Sequence, residues 1–290
     1  MMTLNKSGGW QRFRQNRLAV LGGVILGAIA ISILLLPLLY RVPIDAIDFS
    51  QSSLPPSWSH PFGTDDLGQD QLARVLFGGK ISLSVGFAAM AVTILLGTTI
   101  GAIAGFYGGW VDQILMRLTD LFLSLPQLPV LLLIVYLFRE SLRAIVGAEW
   151  STFILVVLVI GSLNWMSVAR LVRAKCLSIK ELEFVAAAQA IGASPRRILQ
   201  AHILPNLISI IIVAATLSIG NAIITESTLS FLGLGFPPDI PTWGRMLYDA
   251  QNFLTSAPHM AIFPGLAIFL TVLSLNYLGD GIRDAFDPKT

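Results

Sequence analysis

Charge is scarce in this sequence: only 12% of its 290 residues are Asp, Glu, Lys or Arg, about half the share of a soluble domain. With 54% hydrophobic residues and a mean hydropathy of +0.74, the composition suits lipid rather than water. Cysteine is all but missing. The single Cys176 excludes a disulfide within the chain and reads as a small polarizable filler. A net charge of +2 is too small to suggest nucleic acid as a partner. A nucleotide site is also lacking. The nearest approach to a phosphate-binding loop is Gly79-Lys80, with Ile81 where Ser or Thr is required and Arg74 in place of the first Gly. Histidine is sparse. His60 and His259 fall outside the apolar runs or at their rim and His202 in a basic segment, so a membrane-embedded hydrolase would lack a base beside a serine. No group here suggests a catalytic or metal site, and the chain reads as a non-enzyme.

What the sequence does have is long apolar runs. A bilayer core about 30 Å thick is crossed by roughly 20 apolar residues in a helix. Windows of that kind occur at 18–40, 81–105, 121–138, 152–171, 207–224 and 260–279, and Arg170 is the only charge within them. In lipid each backbone amide must be paired inside its own segment. The expected fold is therefore all-α: a polytopic membrane protein of six transmembrane helices, one domain over 1–290, with both termini on one side. Placing the N-terminus in the cytoplasm puts 13 of the 19 Lys and Arg inside, as the positive-inside rule requires. The first window follows basic residues, as a signal peptide would, but its length and the want of a small-x-small site favour a retained helix.

Between the first two windows, residues 41–79 form a polar extracytoplasmic segment with four prolines and five aspartates. Thr64 reads as an N-cap, with Asp65 and Asp66 in the first turn of a short amphipathic helix carrying Leu72, Val75 and Leu76 at the outer interface. In the second window Ala89, Thr93, Gly97, Gly101 and Gly105 recur every four residues, a stripe that admits a close helix partner. That partner lies in the same chain or in another subunit. Gly23 and Gly27 repeat the pattern more briefly.

The fourth and fifth windows are separated by a basic stretch and then by "EFVAAAQAIGASPRRILQAHILPN" (183–206). Its alanines favour a thin helix, and Gly192 suits the positive φ of a helix end. Ser194 then caps a second helix with Pro195 in its first turn, and Pro205 begins the next span. Two short helices joined by a glycine bend are too short to be stable alone, because helices below about 12 to 15 residues are marginal in water. They lie on the lipid headgroups or against a partner.

This block resembles the cytoplasmic coupling motif of ABC importer permeases: Glu-Ala-Ala, three residues, Gly, nine residues, then Ile-x-Leu-Pro. Ala187, Ala188, Gly192, Leu204 and Pro205 match in register. Ala186 stands where the family often has Glu, with Glu183 one turn earlier, and His202 stands where it often has Ile. "FGTDDLGQDQLARVLFGGKISLSVG" (62–86), "PTWGRML" (241–247) and "FPGLAIFLTVLSLNYLGDGIRDAFDP" (263–288) are similar to the dipeptide/oligopeptide/nickel permease family, in its C-type subunit. Gln69 replaces a usual Arg. The resemblance implies a bacterial plasma (inner) membrane protein working with a second permease subunit, two cytoplasmic ATPase subunits and an extracytoplasmic substrate-binding protein. ATP and Mg would be used by the ATPases, with no cofactor on this chain. It further implies that Glu183, Ala187, Ala188, Gly192, Leu204 and Pro205, in a coupling loop at 173–206, receive the push of ATP-driven closure.

Within the windows, Asn164, Asn221 and Asn276 are the strong polar groups and hence translocation-path candidates; helix–helix hydrogen bonding is the alternative reading. Glu226, just past the fifth window, reads as a contact for a peptide's amino group or as a solvated carboxylate paired with Arg245. The segment 233–258, rich in Pro and aromatic residues, faces a docked binding protein or forms an interfacial belt. An ion-gradient-driven secondary transporter would show broken helices and a mid-membrane ionisable residue, and the sequence shows neither sign. Peptides, nickel complexes and other small solutes of the family remain open as cargo.

Overall fold

The computed structural model describes residues 13–286. Lys6, Arg12 and Lys289, which enter the charge count, and the last two residues of the C-terminal motif lie outside them. The described residues are helical and carry no strand. Along the chain run α1 (Arg17–Leu39), α2 (Gln71–Tyr107), α3 (Gly109–Ser124), α4 (Gln127–Val146), α5 (Ala148–Ser162) and α6 (Trp165–Lys180). They are followed by α7 (Glu183–Ala190), α8 (Pro195–Ile198), α9 (Leu204–Phe231), α10 (Trp243–Ala250) and α11 (His259–Phe286). Four helical runs are long and apolar enough to cross a bilayer unaided: α1, α2, the run Pro195–Phe231 containing α9, and α11. Two bent pairs, α3 with α4 at 87° and α5 with α6 at 40°, are together long and apolar enough for a further crossing each, as a broken span or a re-entrant loop.

The two breaks correct the expectation of straight spans, and each has a local cause. At the first, Leu125 precedes Pro126 and takes an extended conformation (ψ 138°). The proline ring crowds a helical predecessor, so the helix ends there and restarts at Gln127. The second break has no proline. Leu163 and Asn164 sit near ψ 0°, and the Asn164 side-chain amide donates to the Ile160 carbonyl at 2.7 Å, beside the Leu163 N–H that the same carbonyl accepts at 3.3 Å.

At the centre stands α2, touching α1, α3, α5, α6, α9 and α11. Its small-residue stripe packs within the chain. A Cβ on Gly97 would meet Val168, on Gly101 the Ala169 carbonyl, and on Gly105 Cys176. Thr93 Oγ1 adds a hydrogen bond to the Gly161 carbonyl at 3.3 Å. Cys176 is fully buried in this seam. Gly22 and Gly23 bring α1 against Ser274, Tyr277 and Leu278 of α11, whereas Gly27 faces open space.

The segment before α2 differs from the expected amphipathic helix. Asp70, not Thr64, is the N-cap: its side chain accepts from the Ala73 N–H at 2.8 Å. Gly63 and Gly68 adopt φ +77°, and a Cβ on Gly68 would lie 1.9 Å from the Asp48 carbonyl oxygen. The chain is thereby folded into a loop around Thr64, whose hydroxyl is buried and accepts from the Leu54 N–H at 2.9 Å. Leu72, Val75 and Leu76 belong to α2 itself and pack against Ile33, Trp243 and Met246 rather than lipid. Asp70 also receives the Tyr40 hydroxyl at 2.7 Å and His60 Nδ1 at 2.8 Å. Burial raises the Asp65 carboxyl above the usual range, against the opposing pull of the Gln69 N–H and of Arg74. Phe62 stacks on Phe263 with ring centroids 3.9 Å apart, pinning this loop to α11.

Candidate functional site

Between α6 and α9 the chain leaves the bundle as a helical hairpin, on the face opposite the 41–70 loop. Its base is built like a protein core. Val185, Ala188, Ile198, Ile203 and Leu207 are buried together with Val172, Cys176 and Ile179 of α6 and Ala102 and Phe106 of α2. Its tip is bare. Gly192 takes φ +78° with nothing near a would-be Cβ, and the Gly192 and Ala193 N–H groups return to the Gln189 and Ala188 carbonyls, closing α7. Beside it Ile191 is 86% exposed, an unusual position for a large aliphatic side chain away from lipid. Ser194 Oγ accepts from the Arg197 N–H at 3.4 Å and Pro195 fills the first position of α8.

The expected second arm is not a separate helix. After the single turn of α8, Leu199–Ile203 form a π-helical turn that runs directly into α9. The Leu204 N–H bonds the Leu199 carbonyl, five residues back. Pro205 explains the wider turn: it has no N–H to give and its ring crowds the carbonyl four residues earlier, so a wider turn lets the helix continue. The hairpin is thus rigidly continuous with a membrane-crossing helix. Of the motif residues, Glu183, Ala187, Gly192 and Pro205 are exposed, Leu204 is half-buried, and Ala188 is packed into the base.

A second site lies on the flank of α9. Asn221 is exposed there, as is Asn276 on α11, and Asn164 is half-buried at the α5–α6 break. Asn164 Oδ1 accepts from Gln127 Nε2 at 3.1 Å. Gln127 opens α4, so the amides at the two helix breaks meet. Sequence reasoning missed Gln127, although it stands inside the 121–138 window with Pro126 and Pro129 beside it to signal a disruption.

Glu226 is elsewhere. It is fully buried, behind this flank, where Ser230 donates to it at 2.8 Å and Ser82 of α2 at 3.3 Å, with the Thr242 hydroxyl as a further donor. Arg245 instead pairs with Asp249 at 2.8 Å and lies over the Tyr248 ring. Neither expected role for Glu226, an outer solvated carboxylate or a contact for a visiting amino group, fits a side chain without exposure. Its position ties three elements together. Ser82 Oγ also accepts the Trp243 N–H at 3.2 Å, and the Trp243 indole donates to the Val75 carbonyl at 3.0 Å. The short helix α10 is thereby locked between α2 and α9.

A bundle of four long apolar helices and two bent pairs, with a hairpin on one face and a locked short helix toward the other, has the build of a helical membrane permease. The chain belongs to the family of binding-protein-dependent transport system inner membrane components, whose pattern matches residues 97–290. Residues 8–56 match the N-terminal transmembrane domain of oligopeptide transport permease C. The chain is 43% identical over 281 residues to a putative peptide permease protein of Brucella suis, covering 96% of this chain and 89% of the relative. It is 39% identical to the dipeptide transport system permease protein of Alkalihalophilus pseudofirmus (97% and 88% covered). With the glutathione transport system permease protein of Pectobacterium atrosepticum it shares 41% identity (97% and 90% covered). An inward-facing structure of the MetNI methionine ABC transporter shares the fold, with a TM-score of 0.57 at 19% identity over 75% of this chain and 97% of that one. Of the two signs of a gradient-driven carrier, the bent pairs supply helix breaks that the sequence did not show, while the buried Glu226 lies near the end of α9 beside α10. The distinction from such carriers therefore rests on kinship.

Proposed function

We propose that this chain is one of two permease subunits of an ATP-driven importer that moves peptides across the bacterial inner membrane. Its N-terminus lies in the cytoplasm, its 41–70 loop outside, and an extracytoplasmic binding protein delivers the cargo. Two cytoplasmic ATPases, which hold ATP and Mg, grip the hairpin. The observation that carries this reading is the hairpin: buried at its base among α2 and α6, bare at Ile191 and Gly192, and continuous with α9. A push on its tip is delivered to a spanning helix without an intervening loop to absorb it. Glu183, Ala187 and Gly192 form the gripped surface, Ala188 anchors it, and Leu204 and Pro205 carry the motion into α9. Asn164, half-buried, and Asn221 and Asn276, both exposed, line the path, because amides at membrane depth are tolerated where they meet water or another polar chain.

Kinship with peptide permeases supports the cargo. Two measurements test the reading. Membrane vesicles holding the assembled transporter and its binding protein should take up a tripeptide only with ATP, and uptake driven by an ion gradient alone would overturn it. An Ala187→Cys variant should crosslink to an ATPase subunit in intact membranes; failure at this exposed position would remove the hairpin's assigned role.

A further inference from the structure

The joint between the two broken spans holds a second feature beside its paired amides. A crevice of about 130 Å³ opens against Gln127, lined also by Leu131 of α4 and by Ile224, Thr225, Thr228 and Leu229 of α9. We propose that this joint is a peptide-binding station: Gln127 and Asn164 hold a backbone amide of the passing solute, and the crevice seats an apolar side chain. The proposal rests on the reading of the chain as a peptide permease.

The hydrogen-bonding capacity left at the joint suits an amide. Asn164 spends its oxygen on Gln127 and one N–H on the Ile160 carbonyl, and Gln127 spends one N–H on Asn164. A carboxamide has two N–H donors and an oxygen with two lone pairs. Each residue therefore keeps one N–H, and Gln127 keeps its whole oxygen, so the pair presents donors and an acceptor side by side. A peptide unit offers the complement, one carbonyl and one N–H. Leaving an amide unpaired in an apolar setting costs about 1–3 kcal/mol on mutational scales, so an exposed Gln127 between two spans marks a place that polar matter visits.

The crevice supplies the other half of the match. Thr225 and Thr228 turn their hydroxyls back onto the Asn221 and Ile224 carbonyls at 2.7 and 2.8 Å. Their methyl groups join Leu131, Ile224 and Leu229 in an apolar wall. No carboxylate, imidazole or thiolate lines it, so the set does not suit a bare transition-metal ion, whose usual protein ligands are those groups. The station thus favours peptides over a free metal cation among the cargoes of the family.

The test uses the complete transporter in proteoliposomes, with its binding protein, and reads peptide taken up per ATP hydrolysed for trialanine and trileucine. Gln127→Leu should lower this ratio about tenfold for both peptides, the effect of one lost hydrogen bond to substrate, and Gln127→Asn should recover part of it. Thr228→Phe, which fills the crevice, should lower the ratio for trileucine more than for trialanine. A wild-type ratio in Gln127→Leu would overturn the station, and so would equal effects of Thr228→Phe on the two peptides, which decides the matter even if Gln127→Leu failed to assemble. Wild-type vesicles that accumulate neither peptide with ATP would instead sink the peptide-permease reading beneath it.

Discussion

Single residues decide how closely these helices approach and where they turn. At Gly192, φ +78° with open space around the Cβ position means that only backbone conformation restricts substitution. A left-handed conformation costs a residue with a Cβ about 1–2 kcal/mol, and most for β-branched ones. Gly192→Val should therefore leave the membrane bundle assembled but lower binding-protein-stimulated ATP hydrolysis; wild-type rates would deny the bend a part in coupling. Gly101 poses the opposite problem. Its Cβ would lie 2.4 Å from the Ala169 carbonyl oxygen, a backbone atom that cannot swing aside. Gly101→Val should destabilise the α2–α6 seam by about 1–3 kcal/mol or more, seen as a lower melting temperature in detergent. Gly27→Val, with nothing within 4 Å, should melt like the parent, and equal losses would contradict this packing. The spacing of these glycines was legible in the sequence, but whether their partner belonged to the same chain was not, because a four-residue step describes one helix face and says nothing of what covers it.

At the scale of elements, the sequence revealed what composition and period encode and concealed what depends on direction and on distant partners. The crossings of α1, α9 and α11 and the bend at Gly192 could be read directly. The 87° turn before α4 was hidden because a hydropathy window averages over Pro126 without registering a change of axis. The break at Asn164 has no proline to announce it, and the side chain that meets it, Gln127, lies 37 residues earlier. Glu226 was misplaced for a related reason: the hydroxyls that surround it come from α2, α9 and the start of α10, segments far apart in sequence. Those contacts make a prediction about α10. Glu226→Leu strips Ser82, Ser230 and Thr242 of their shared acceptor, at about 1–3 kcal/mol for a buried group left unpaired, whereas Glu226→Gln keeps an acceptor oxygen. The Leu variant should melt earlier and expose segment 233–258 to added protease, and the Gln variant should resemble the parent. Equal protease resistance in all three would show that the carboxyl does not hold α10.

Over the whole molecule, the proposed function requires that the 41–70 loop and the hairpin face opposite sides of the membrane. Trp58 stands fully free of the loop, and Ile191 is 86% exposed at the hairpin tip. A membrane-impermeant thiol reagent added to intact cells should label Trp58→Cys and spare Ile191→Cys, with the reverse in inside-out vesicles. Labelling of both from one side would refute the orientation and the coupling with it. The basic residues that predict this orientation lie mostly in the hairpin segment and near the chain's ends, so the described helices supply the geometry but not the sense of insertion. The native thiol adds an experiment of its own. Cys176 is the chain's one cysteine and is sealed between Gly105 and the Ala102 carbonyl in the close seam between α2 and α6. A small alkylating agent reaches it only when that contact parts, so its rate of modification with and without turnover is a built-in clock for how often the central seam breathes.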